Sequence, residues 1–106
     1  MRGKTLLNTN AIIDALNDGL KFPRADYSIS IITEMELFSY PKLTEFERDN
    51  IKKLLSYFEI FNISKEIKNM TIEIKKNYDI NLPDSIICAT TLSQSATLIS
   101  SDKQLI

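Results

Sequence analysis

Lys4-Thr5-Leu6-Leu7-Asn8-Thr9-Asn10-Ala11-Ile12-Ile13-Asp14-Ala15-Leu16 is the stretch that decides the fold. Its first four residues read as a short buried strand ending at Asn8. From Asn10 the period changes: Ile12, Ile13, Leu16 and Leu20 recur at helical spacing, with Gly19 near the stop. The same alternation continues down the chain. After a loop over 22–26, Ser28-Ile29-Ser30-Ile31-Ile32 is a second, β-branched strand. Thr33 and Glu36 then have capping-box spacing for a helix through Leu37, Phe38 and Tyr40 that Pro41 stops. A second box, Thr44 and Glu47, opens a helix over 44–58 with Phe46, Ile51, Leu54, Leu55 and Phe58 as its apolar stripe. A third strand covers 59–63. The helix over 64–78 sets Ile67, Thr71, Ile74 and Tyr78 against a lysine face. Pro83-Asp84 introduces an apolar helix through Ser93, and Thr97-Leu98-Ile99-Ser100 is a fourth strand followed by Asp102.

Strands separated by helices pair in parallel through crossovers. The strands are apolar runs without strict alternation, as a sheet covered on both faces requires. The expectation is one α/β domain over residues 1–106, a three-layer α/β/α sandwich around a short parallel sheet of four or five strands.

Composition narrows the chemistry. Hydrophobic residues make up 43% and charged residues 25% of the 106, which is ordinary for a globular chain and excludes disorder or a disulfide scaffold. No apolar run reaches bilayer length, and Asn8-Thr9-Asn10 interrupts any secretory h-region, so the chain is read as cytoplasmic, away from membranes. The lone Cys88, on an apolar helix, fits a reducing compartment and a buried, inert thiol. The chain contains no histidine, which removes histidine-based nucleophilic catalysis and His-ligated zinc together. Catalysis must rest on carboxylates, hydroxyls or lysines. With 13 basic and 14 acidic side chains the net charge is −1, so a polyanionic partner requires either a gathered lysine rim or a metal. Lys65, Lys68, Lys75 and Lys76 are either a solvated face or such a rim.

In open α/β sheets, sites form beyond the carboxyl ends of the strands. Asn8 ends the first strand, Glu36 lies just after the second, Asp102 follows the fourth, and Asp84 opens the helix feeding the fourth. Carboxylates crowded at one edge repel unless a hard cation such as Mg²⁺ sits among them, and such an ion can activate water against a phosphodiester. Each residue also has a plainer reading. Asp84 and Asp102 are acceptable helix caps, Glu36 is a capping-box partner, and Asn8-Thr9-Asn10 is strand-exit chemistry.

Four segments in order resemble the PIN domain, specifically the VapC-type ribonuclease toxins. They are Leu6-Leu7-Asn8-Thr9-Asn10, Ser30-Ile31-Ile32-Thr33-Glu34-Met35-Glu36-Leu37, Leu82-Pro83-Asp84-Ser85-Ile86-Ile87-Cys88-Ala89-Thr90-Thr91, and, more loosely, Leu98-Ile99-Ser100-Ser101-Asp102-Lys103. The resemblance implies that Glu36, Asp84 and Asp102, with position 8, form the acidic site. It implies Mg²⁺- or Mn²⁺-dependent endoribonuclease activity on an RNA substrate, inhibition by a cognate antitoxin, and homodimers. Two departures stand out. The family's first acid is Asp where this chain has Asn8, a substitution that removes a charge and weakens both cation binding and water activation. It reads either as an inactivating change or as a naturally silenced member. The chain also ends at Ile106, soon after the fourth strand, where relatives usually continue to a last one.

A non-catalytic PIN domain that holds an antitoxin or RNA is the alternative, with Ile12, Ile13, Leu16, Leu37, Phe38 and Tyr40 available for a groove or for the core. A receiver-like domain is disfavoured, because it needs acids where this chain has Asn8 and Asn62. Gly3-Lys4-Thr5 precedes a strand instead of following one and is no P-loop.

Overall fold

The structure is a computed structural model that describes residues 4–18 and 26–99. Gly19, Leu20, the expected loop residues 22–25, Ser100 and Asp102 lie outside the described residues. The element order is β1 (Thr5–Leu7), α1 (Thr9–Asp18), β2 (Tyr27–Ser30), α2 (Ile31–Phe38), α3 (Glu45–Leu55), β3 (Glu59–Phe61), α4 (Lys65–Asn77), α5 (Leu82–Ser93) and β4 (Thr97–Ile99). The described strands form one sheet in the order β3-β2-β1-β4, with every pair parallel. This is the expected α/β fold.

β1 is three residues long, and both of its edges and both of its faces are occupied. β1 is central, with Leu6 opposite Ser28 of β2 on one side and Leu98 of β4 on the other. Leu6 and Leu7 are both 0% exposed, and successive strand residues face opposite ways, so neither face meets water. On one face Leu7 and Ile29 join Ile12, Leu37, Ile51 and Leu55 from α1, α2 and α3. On the other, α5 lies against β2 and β4. There Ser28, Ser30, Ser85 and Ala89 are all buried, and these small side chains let the helix approach the sheet closely. Ile67, Ile86 and Ala89 form a second core with Met70 and Ile74 between α4 and α5.

The helix starts decide where the polar residues point, and two of them differ from expectation. β2 stops at Ser30, not residue 32, because the Ser30 hydroxyl accepts from the Ile32 N–H at 3.1 Å and caps α2 directly. Ile31 and Ile32 are therefore helical despite their β-branching, and Thr33 is a fully buried helix residue instead of the cap. Glu36 is accordingly no capping-box partner. At α5 the cap is Asn81, whose Oδ1 accepts from the Asp84 N–H at 2.9 Å, so Asp84 sits inside the first turn. Pro83 occupies the first turn too, where a missing N–H costs nothing. The Thr44–Glu47 box forms as expected. Helix α3 ends at Leu55 and β3 at Phe61, both earlier than the sequence pattern suggests. Phe46 and Tyr78, expected on apolar stripes, are 74% and 65% exposed because the buried arcs are narrower: Ile51 and Leu55 in α3, Ile67 and Thr71 in α4.

Two measurements check this packing. Ile29→Ala should cost about 2–5 kcal/mol in chemical denaturation, since it empties a fully buried site beneath three helices. The Thr44 N–H and hydroxyl hold the Glu47 carboxyl below its ordinary value of 4.5. A depressed carboxyl contributes stability above its unfolded pKa and loses it as pH falls through the folded one. Any advantage of wild type over Glu47→Gln should therefore be present at neutral pH and shrink as acid titrates this group.

Candidate active site

Asn8 leaves β1 at the carboxyl edge of the sheet and is 2% exposed. Its backbone is held on both sides. The N–H donates to the Ile99 carbonyl of β4 at 3.0 Å, and its own carbonyl accepts from Ile12 at 3.4 Å. The side-chain Oδ1 accepts from the Ala11 N–H at 2.9 Å, which satisfies one of the orphan donors opening α1. Asp and Asn both supply an oxygen for that bond. This capping bond is thus open to either residue at position 8, while the charge of the site is not.

Glu36, on α2, and Asp84, in the first turn of α5, are both partly buried. Glu36 Oε1 accepts from the Thr9 hydroxyl at 2.6 Å, a short bond. The same Thr9 oxygen is 3.1 Å from Thr33 Oγ1. Asp84 sits where the amino-terminal end of a helix favours negative charge. Asn8, Glu36 and Asp84 line one open polar pocket of about 540 Å³, together with Thr9, Asn10, Ser39, Tyr40, Pro41 and Asn81. Three of the four expected site residues are therefore brought together, and the fourth, Asp102, lies outside the described residues. Among the described residues no three Asp, Glu, Cys or His side chains gather as a ligand group. The donor set in the pocket is nevertheless all oxygen, which suits a hard divalent cation that keeps part of its water. Sequence reading missed Thr9 as Glu36's partner and Asn81 altogether. The signal for Asn81 was present: a capping residue three before Asp84, with Pro83 between them.

The PIN domain family model matches residues 5–106. The chain belongs to the PIN-domain family. Solved structures agree on the fold. A toxin-antitoxin complex from Klebsiella pneumoniae contains a chain with 29% identity and a TM-score of 0.79, covering 94% of this chain and 88% of that one. DNA-bound VapBC from Salmonella typhimurium gives 18% identity and a TM-score of 0.82 over 94% of this chain and 87% of that one. VapBC2 from Rickettsia felis, bound to a promoter DNA fragment, gives 21% and 0.78 over 96% and 90%. No curated protein matches at a significant level.

Two further features border the pocket of this PIN domain. Tyr40 and Pro41 also line an apolar groove of about 480 Å³ with Ile13, Leu16, Leu37 and Phe46. Ile12 belongs to the core instead, and Phe38 packs against it beneath the Arg48 guanidinium. Cys88 lies one helical turn beyond Asp84 and is half-buried, not fully buried as expected. Burial first, and the Asp84 carboxylate second, push its thiol pKa up, so it is a poor thiolate at neutral pH.

The cap at position 8 yields a direct check. Asn8→Ala should lose about 1 kcal/mol or more with the cap, whereas Asn8→Asp keeps the cap and should lose stability only through its new buried charge beside Glu36 and Asp84. Parallel melts of the three proteins measure it.

Proposed function

We propose that this chain is a VapC-type toxin: a Mg²⁺- or Mn²⁺-dependent endoribonuclease acting in the cytoplasm, restrained by a cognate antitoxin, and working as a homodimer. The observation that carries the reading is the meeting of Glu36, Asp84 and Asn8 in one solvent-open, oxygen-lined pocket of a PIN-family chain. In this reading Glu36, Asp84 and Asp102 hold the cation, with the Asn8 amide as the fourth, uncharged member of the set. When bound, the ion supplies a Lewis acid that offsets phosphate charge and acidifies a coordinated water. The protein's own residues do the rest. Thr9 orients Glu36 at 2.6 Å. Lys42, next to Pro41 on the pocket wall, and Lys75, whose Nζ donates to the Ile80 carbonyl at 2.8 Å beside Asn81, give the phosphate backbone a cationic rim. The apolar groove beside Tyr40 takes an amphipathic segment of the antitoxin, a role that the toxin-antitoxin setting of the Klebsiella pneumoniae relative supports.

Asn8 favours one second reading, a PIN domain silenced at this ligand and kept for holding antitoxin or RNA. Cleavage of structured RNAs by wild type and Asn8→Asp, with Mg²⁺ and with chelator, separates the two. Chelator-sensitive cleavage by both proteins, faster in Asn8→Asp, is the expected result, whereas cleavage by Asn8→Asp alone supports the silenced reading. Cleavage by neither folded protein supports the binding role and removes the enzymatic one.

A further inference from the structure

The bond from Thr9 to Glu36 raises a question of proton supply. A hydroxyl has one hydrogen. At 2.6 Å from a carboxylate oxygen, the Thr9 hydrogen is committed to Glu36. The contact of 3.1 Å between Thr9 and Thr33 must then be made with the hydrogen of Thr33. We infer that Thr33 is a positioning residue for this site: its hydroxyl donates to Thr9 Oγ1, fixes that side chain's rotamer, and so directs the Thr9 hydrogen onto Glu36.

The placement of Thr33 supports this. It is 0% exposed, on α2 one turn before Glu36, so both present toward the amino terminus of α1 where Thr9 begins the helix. No water competes for its hydroxyl. A threonine side chain with no second partner can exchange among staggered rotamers, and a chain of hydrogen bonds strengthens each member. The relay Thr33 to Thr9 to Glu36 therefore holds one Glu36 oxygen and leaves the other for the pocket. A methyl group in place of the Thr33 hydroxyl keeps the shape and removes the donor.

This deepens the proposed metal-dependent function and rests on it for its purpose, but the relay itself is testable without metal. Three-bond couplings at the Thr9 methyl and Glu36 methylene, measured by NMR on metal-free wild type, Thr33→Ser, Thr33→Val and Thr9→Val, report their rotamers. Single rotamers at both residues in wild type and Thr33→Ser, with averaged couplings in Thr33→Val, are expected. In the Thr9→Val background, Thr33→Val should change nothing further at Glu36. Unchanged couplings in Thr33→Val overturn the inference, as does equal averaging in Thr33→Ser and Thr33→Val, which would make the effect one of packing. Mn²⁺ titration of the same proteins should show roughly tenfold weaker binding in Thr33→Val, the low end of what removal of an outer-shell partner costs. If wild type binds no Mn²⁺ while the couplings behave as stated, the nuclease reading fails and the positioning role stands.

Discussion

β1 is buried on every side at once. It is three residues long and sits between two parallel neighbours, and its leucines are sealed on opposite faces by different sets of helices. A parallel strand cannot be reached by a tight turn, so each neighbour arrives through a helical crossover. Those crossovers are what deliver α2 and α5 to the carboxyl edge of the sheet. Asn8 terminates the strand there, bonded to β4 through its N–H and to α1 through its side chain. The pocket is a consequence of this arrangement: a strand end, a helix entered without a linker at Ser30, and a helix capped by Asn81 all open at one place.

The electrostatics of that place follow from which groups are already occupied. Glu36 spends one oxygen on Thr9. Asp84, freed from capping by Asn81, faces the pocket from a helix start that favours its charge. Asn8 keeps the structural bond an aspartate would make and gives up the charge. Position 8 thus separates two roles that one aspartate would combine, the capping bond and the charge.

Much of this was legible in the sequence. The β–α alternation, the Thr44–Glu47 box and the edge on which Asn8, Glu36 and Asp84 converge follow from periodicity and from where strands end in parallel sheets. The boundaries were less so. Ser30 and Thr33 are both acceptable caps on local grounds, and the choice of Ser30 depends on Ile32 and Thr33 being needed inside. Asn81 and Asp84 compete in the same way. Phe46 and Tyr78 fit their helical stripes, yet nothing arrives to cover them, because burial depends on which other helices reach that arc. The Thr9–Thr33 contact joins two elements 24 residues apart and has no local signature.

If the Asn8, Glu36 and Asp84 edge holds the proposed cation, the charge at position 8 sets how tightly. Paramagnetic broadening of backbone amides by Mn²⁺, compared between wild type and Asn8→Asp, tests it most directly. Broadening centred on residues 8–10, 36 and 81–84, appearing at lower Mn²⁺ concentration in Asn8→Asp than in wild type, is expected. Broadening scattered over surface carboxylates, or identical in the two proteins, would contradict it.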